Sequence, residues 1–253
     1  METLFIGANL IFLPEVDSTN SYAIELLKNV NLPEGSVIHT ANQTSGRGQR
    51  GNVWNTRPGS NLTVSVVLKP SFLDLKDQFY LYQIAALGCY DVMTEILDHS
   101  QFDIKIKWPN DILVDGKKIA GILIENVVNH NHMHWSVMGI GLNVRQGEFD
   151  DKIHATSIQI LTRKEHDLAD VLKLLCSRLE KYYMLLRNGK RETISENYIK
   201  HFFGLNKWLD FEIGNQVEKL LVKGVSRNGL LLLEDSSGKE REFDMKEIKW
   251  RLR

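Results

Sequence analysis

At 253 residues, with 43% hydrophobic and 25% charged residues, the chain has room for one large domain and a small one and the composition of an ordinary globular protein. Its 31 basic and 32 acidic residues give a net charge of −1, which excludes a global attraction for nucleic acid or an anionic membrane and makes any anion site local. Cys89 and Cys176, each set among apolar residues of a predicted helix, read as buried thiols rather than a bridge; with no basic signal segment in METLFIGANLIFLPEV and no apolar run of membrane-spanning length, a cytoplasmic protein is expected.

Leu10–Leu13 reads as a short apolar strand. Asp17-Ser18-Thr19-Asn20 then offers several N-caps ahead of Tyr22, Ala23, Leu26, Leu27 and Val30, which share a helical face, so a helix is predicted from about Thr19 to Asn29. Ser18 and Thr19 need do no more than cap it. Ser36–Asn42 alternates as a strand and feeds a loop, Gln43–Trp54. Within it Gly46, Gly48 and Gly51 let backbone N–H groups approach a ligand, and Arg47 and Arg50 add forked cationic donors for carboxylate or phosphate. The loop is no Walker motif, for it lacks the closing Gly-Lys-Ser/Thr, and glycine-rich turns are also common as plain mobile segments.

Asn61–Lys69 has the period of a strand with one buried face, and Leu75–Leu97 that of a long helix backing the sheet. In the next strand, alternation puts Ile104, Ile106 and Trp108 on the apolar side and Lys105 and Lys107 on the other. Pro109, Asn110 and Asp111 stop that strand just after Lys107, where a lysine can meet a ligand. Asp115-Gly116 is the dipeptide of a two-residue hairpin. Lys117–Val128 and Met133–Val144 should pair across His130-Asn131-His132; His130, His132 and His134 alternate, but with no carboxylate or thiolate close by in sequence they are not read as a metal site. Gly139 and Gly141, on one face with Asn143 and opposite Ile140 and Leu142, leave either a flat floor for a ligand, extended by Gly121, or a bulge or tight packing. Two helices are predicted at Asp167–Arg187 and Arg191–Phe203. From Trp208 the pattern changes to short alternating runs (Trp208–Ile213, Val217–Val225, Leu230–Glu234, Arg241–Phe243, Ile248–Leu252) punctuated by Asn228-Gly229 and Ser237-Gly238, which suggests a small barrel.

Four stretches occur in an order and spacing that resemble the central motifs of biotin protein ligases: Gly-Arg-Gly-x-x-Gly-x-x-Trp ending at Trp54, KWPND at Lys107–Asp111, DGKKIAGILIE at Asp115–Glu125, and GIGLNV at Gly139–Val144. The resemblance implies an α+β fold: a mixed, largely antiparallel sheet backed by helices, of the class II aminoacyl-tRNA synthetase type, over residues 1–204, and a Src-homology-like β-barrel over residues 205–253. It implies a biotin site at Ser18, Thr19, Asn20, Gln43, Gly46, Arg47, Gly48, Gln49, Lys107, Gly121 and Gly141, and an ATP or adenylate site at Arg47, Arg50, Trp54, Lys107, Asn110 and Asn143. Lys107 and Arg47 are the expected catalytic cations. Magnesium is expected with ATP, held by phosphates and water, with no protein ligand named. Two departures stand out: Gln49 and Asn52 occupy positions where many members carry arginine, which points to a looser electrostatic hold on the acyl-adenylate.

The implied activity is condensation of biotin with ATP to biotinyl-5'-AMP and pyrophosphate, followed by transfer of biotin to a lysine of a biotin carboxyl carrier protein. The nearest alternative is lipoate–protein ligation by the same chemistry, which incubation with each acid would separate. A biotin-responsive regulator would need a DNA-binding unit, and the seventeen residues before Ser18 are too few for one, so no DNA partner is expected. A non-catalytic biotin- or nucleotide-binding module is the third alternative. Sheet edges make a homodimer an open expectation.

Overall fold

The computed structural model describes residues 3–98, 100–129, 132–150 and 153–251. Seven strands, β1 (Leu10–Val16), β2 (Val37–Gln43), β3 (Leu62–Leu68), β4 (Ile104–Lys107), β5 (Asp111–Val114), β6 (Lys117–Asn129) and β7 (His132–Leu142), form one sheet in the order β1-β2-β3-β7-β6-β5-β4. Only the β1–β2 pair is parallel; the other ladders of this sheet are antiparallel. The expected His130-Asn131 turn between β6 and β7 lies outside the described residues.

One face of the sheet is covered by α1 (Thr19–Asn29), which packs with Ala23 and the following Leu32 against Ile38, Val67, Trp135 and Val137. Its start is fixed as the sequence suggested, with the Ser18 hydroxyl accepting from the Ser21 N–H. The larger core lies on the opposite face, under α2 (Phe79–Ile96) and α4 (Leu168–Arg187), with the short α3 (Ile158–Thr162) and α5 (Arg191–Lys200) at its margins. The predicted Leu75–Leu97 helix opens with a tight 3-10 turn at Leu75–Asp77 before α2 begins. The short α3 is started by Ser157, whose hydroxyl accepts from the Ile160 N–H.

One sequence expectation is corrected by this layering. β3 was expected to bury one face, yet every residue of it is buried, because the hydroxyls of Thr63 and Ser65 lie on the α1 side rather than in solvent. The Ser65 hydroxyl is satisfied there, donating to Asn20 Oδ1 at 2.6 Å and lying 2.8 Å from the Thr19 hydroxyl.

The Asp115-Gly116 hairpin forms with φ of +48° and +76°, the two positive values a type I′ turn requires. The C-terminal strands β8 (Trp208–Ile213), β9 (Gln216–Val225), β10 (Leu231–Glu234), β11 (Glu240–Phe243) and β12 (Ile248–Trp250) form an antiparallel sheet in the order β11-β10-β9-β8-β12; the expected end of the last strand, Leu252, lies outside the described residues. This sheet is tied to the end of β4. The Trp108 indole donates to Gly229 O at 2.8 Å, the Trp250 indole donates to Trp108 O at 3.1 Å, and buried Asp77 holds both Arg191 and Arg227. No helix among the described residues is long and apolar enough to cross a membrane.

Candidate active site

Register places five residues in a single lateral row across the sheet: Thr63, Gly141, Gly121, Asp111 and Lys107, each directly opposite the next on β3, β7, β6, β5 and β4. Directly paired residues share a face, so the row runs along the side that carries α1. Two residues along, a second row holds Ser65, Gly139 and Leu123. The glycines make this part of the sheet a floor that other groups approach closely. A Cβ on Gly141 would lie 2.2 Å from the Trp54 ring, one on Gly121 would lie 3.1 Å from it, and one on Gly139 would lie 2.5 Å from Asn20 Oδ1. The paired glycines on two neighbouring strands thus form a floor on which Trp54 and Asn20 pack tightly.

Above this floor is a cleft whose walls include Ser18, Thr19, Asn20 and Gln43 on one side and Asn110, Asp111 and Lys118 on the other. Arg47, Gly48, Gln49 and Trp54 of the glycine-rich loop overhang it. Gly46 sits behind the loop, where a Cβ would meet Trp54 O at 2.2 Å and the Gln43 amide at 2.5 Å. The cavity measures about 130 Å³, below the roughly 300 Å³ at which small-molecule sites begin. Trp54, resting on Gly121 and Gly141, is what fills it, and its indole N–H is buried with no acceptor among the described residues.

The α1 end of the cleft is a hydrogen-bonding network. Gln43 Oε1 accepts from the Thr19 N–H at 3.0 Å and from the Thr19 hydroxyl at 3.3 Å. Asn20 donates through Nδ2 to Leu123 O at 3.2 Å and to Glu125 Oε2 at 2.9 Å, while its Oδ1 accepts from Ser65. Both amide hydrogens are therefore used, and Oδ1, lying over Gly139, keeps an acceptor position toward the cleft. Capping and a cleft position coincide in Ser18, as the sequence allowed.

The opposite end is a charge cluster. Asp111 pairs with Lys118 Nζ at 2.6 Å and lies 3.7 Å from Lys107 Nζ. Lys118 Nζ also stands 5.4 Å from the centre of the Trp54 ring, within cation–π range. Burial pushes the Lys107 ammonium below its ordinary pKa, Asp111 opposes that shift, and Lys118 adds to it.

Both cations expected from the sequence lie at or beside the cleft, and a further lysine joins them. Lys107 points to the expected face but one strand beyond Asp111, lining an adjoining groove with Trp108, Pro109, Asn110, Ile248 and Trp250; Lys118 is the lysine in the cleft wall. Strict alternation from Gly121 would turn Lys118 toward the core. A register shift between Ile112 and Leu113 breaks that alternation, so that Ile119 and Ala120 are both buried and Lys118 emerges beside Gly121. Arg47, expected in both the biotin and the adenylate site, lines the cleft and pairs with Glu125 at 2.8 Å. Asn143 is not brought to the cleft wall: it is buried and its amide donates to Thr156 O at 3.0 Å. The side chains of Arg50 and His132, and all of His130, lie outside the described residues. Among the described residues no cluster of three His, Cys, Asp or Glu side chains is placed to hold a metal.

A family model for the biotin/lipoate A/B protein ligase family matches residues 12–143, just over half of the chain and the whole of this cleft. The chain belongs to that family. Within the ligase family it is 30% identical to the bifunctional ligase/repressor BirA of Bacillus subtilis, over 94% of this chain and 73% of the relative. A biotin–[acetyl-CoA-carboxylase] ligase of Paracoccus denitrificans is 26% identical over 90% of this chain and 95% of its own length. Among solved structures, a biotin protein ligase from Aquifex aeolicus in complex with biotin and ATP superposes with a TM-score of 0.78 at 27% identity, covering 96% of this chain and 99% of that one. The superposition takes in the C-terminal sheet as well as the ligase cleft.

Lys118 and Asp111 in the cleft wall, and Glu125 and Ser65 bonded to residues that line it, are the ones that sequence reasoning did not single out. Lys118 and Glu125 stood inside a quoted motif, but their direction is set by a bulge and by a partner 78 residues away.

Proposed function

We infer that the chain is an ATP-dependent biotin–protein ligase, which makes biotinyl-5'-AMP and then transfers the biotinyl group to a lysine of a biotin carrier domain. The observation that carries this reading is the lateral row. A glycine floor runs between an amide-rich end able to read a cyclic urea and a lysine–aspartate end suited to a carboxylate and a phosphate. Joining an acid to an amine in water requires activation, here by attack of the biotin carboxylate on the α-phosphate of ATP with pyrophosphate leaving. At about 4 Å two like charges repel by roughly 4 kcal/mol in a partly shielded site, near a thousandfold in rate, unless a cation stands between them.

Lys118 is placed for that role and Asp111 aims it; Lys107 flanks them on the groove side. The site residues are assigned on this basis. Asn20 Oδ1, Ser18, Thr19 and Gln43 hold the ureido ring, the glycine floor takes the flat body of the acid, and Trp54 and Asn110 meet the nucleotide. Magnesium enters as part of the nucleotide substrate. Asp111 is already engaged by Lys118, which fits a hard cation held by phosphates and water rather than by a protein cage. A mixed anhydride hydrolyses when wet, so the glycine-rich loop excludes water once Trp54 yields the floor and the acid lies beneath it. We assign residues 1–204 to the catalytic unit and residues 205–253 to a small domain that walls the Lys107 groove.

Mass spectrometry of the product from ATP, magnesium and either biotin or lipoate, with and without a carrier domain, tests the proposal. Biotinyl-5'-AMP alone, and biotinyl carrier when acceptor is present, are the expected products. Lipoyl-adenylate in preference, or no pyrophosphate release with biotin, would reject it.

A further inference from the structure

Glu125, a carboxylate for which the activation chemistry has no use, borders the cleft by touching two residues that line it, Asn20 and Arg47. Glu125 lies four residues along β6 from Gly121, about 13 Å at a strand's rise, at the end remote from Lys118. An acid at the mouth of a site for two anionic substrates repels both, so its presence there calls for a compensating role. Its contacts supply one. Glu125 Oε2 accepts from Arg47 Nη2 at 2.8 Å and from Asn20 Nδ2 at 2.9 Å, joining loop, α1 and β6 at a single oxygen.

Backbone bonds hold the glycine-rich loop at its base, from the Thr44 N–H to Val16 O and the Ser45 N–H to Asp17 O, both 2.9 Å. Its inner bonds, Trp54 N–H to Gly46 O and Gly48 N–H to Asn52 O, only fold the loop on itself. The Arg47–Glu125 ion pair joins the loop to β6.

We propose that Glu125 is a positioning residue that latches the loop over the cleft through Arg47 and, with the same oxygen, turns the Asn20 amide so that its Oδ1 faces the ligand. Arg47 thus serves closure and not phosphate binding. The consequence for retention of the acyl-adenylate rests on the proposed ligase reaction; the latch itself does not.

Hydrogen exchange of the 46–54 segment, followed by mass spectrometry on the ligand-free full chain, tests the latch. A partly exposed ion pair is worth up to about fivefold in an opening equilibrium. Glu125→Gln and Arg47→Gln should each speed exchange by roughly that factor, the double variant should go no further, and the charge-swapped Arg47→Glu/Glu125→Arg pair should return toward the parent rate. Unchanged exchange in Glu125→Gln, or additive effects in the double variant, overturns the latch. In a second measurement, release of preformed biotinyl-adenylate should speed up in the same proportion in Glu125→Gln; faster exchange with unaltered release overturns the retention half. Failure of the parent chain to make adenylate would refute the ligase reading while the exchange data still decide the latch.

Discussion

Gly121 and Gly141 face each other directly across β6 and β7, and the Trp54 indole lies on the pair. Two missing side chains at one register position are what let an aromatic ring, or a ligand in its place, reach the backbone of a sheet centre. Gly141→Ala should therefore act on binding more than on folding. The added methyl would stand 2.2 Å from the Trp54 ring, which can swing outward, whereas a bound acid confined to the floor cannot. At an overpacking cost of about 1–3 kcal/mol, biotin affinity should fall roughly ten- to hundredfold in calorimetric titration, with a nearly unchanged melting temperature.

The two lysines separate cleanly by experiment. Lys118→Ala removes the cation in the cleft wall and should lower biotin-dependent pyrophosphate exchange by roughly a hundredfold or more, with biotin still bound. Lys107→Ala, two strands further out and lining the groove, should cost only about tenfold. The reverse ranking would return the central role to Lys107.

Burial lowers the pKa of Lys107 from its ordinary 10.5. Its contribution to rate needs the charged form, so that contribution is lost as pH rises through the lowered value, before an exposed lysine would titrate. The sign for stability is opposite: between the lowered pKa and 10.5 the unfolded chain binds the proton that the folded chain has released, so stability increases with pH across that window. Lys107→Arg, permanently charged, should remove this alkaline limb from the pH–rate profile; a profile identical to the parent's would assign the limb to another group.

Gln49 lines both the cleft and the Lys107 groove. An arginine there would add a forked cation within the loop. Gln49→Arg should slow escape of biotinyl-adenylate several-fold, measured by trapping released adenylate with an external amine. Equal release rates would show that charge at this position does not govern retention.

Much of this protein was legible from residue order because it depends on local periodicity and turn chemistry. The span of α1, the Asp115-Gly116 turn, the end of β4 after Lys107 and the glycine alternation of β7 all follow from side-chain spacing and backbone preference within a few residues. The motifs contain residues that the sheet and the glycine-rich loop bring to one cleft, among them Arg47, Trp54, Asn110, Gly121 and Gly141. Three features belonged to the tertiary structure alone. The bulge opposite Ile112 and Leu113 inverts which face Lys118 takes, since a one-residue slip in a period of two flips every side chain beyond it. The second buried face of β3 exists because α1 folds back over it. The pairing of Arg47 with Glu125 joins residues 78 apart, and a charge at short range is drawn to whichever partner the fold sets beside it, which no local pattern records.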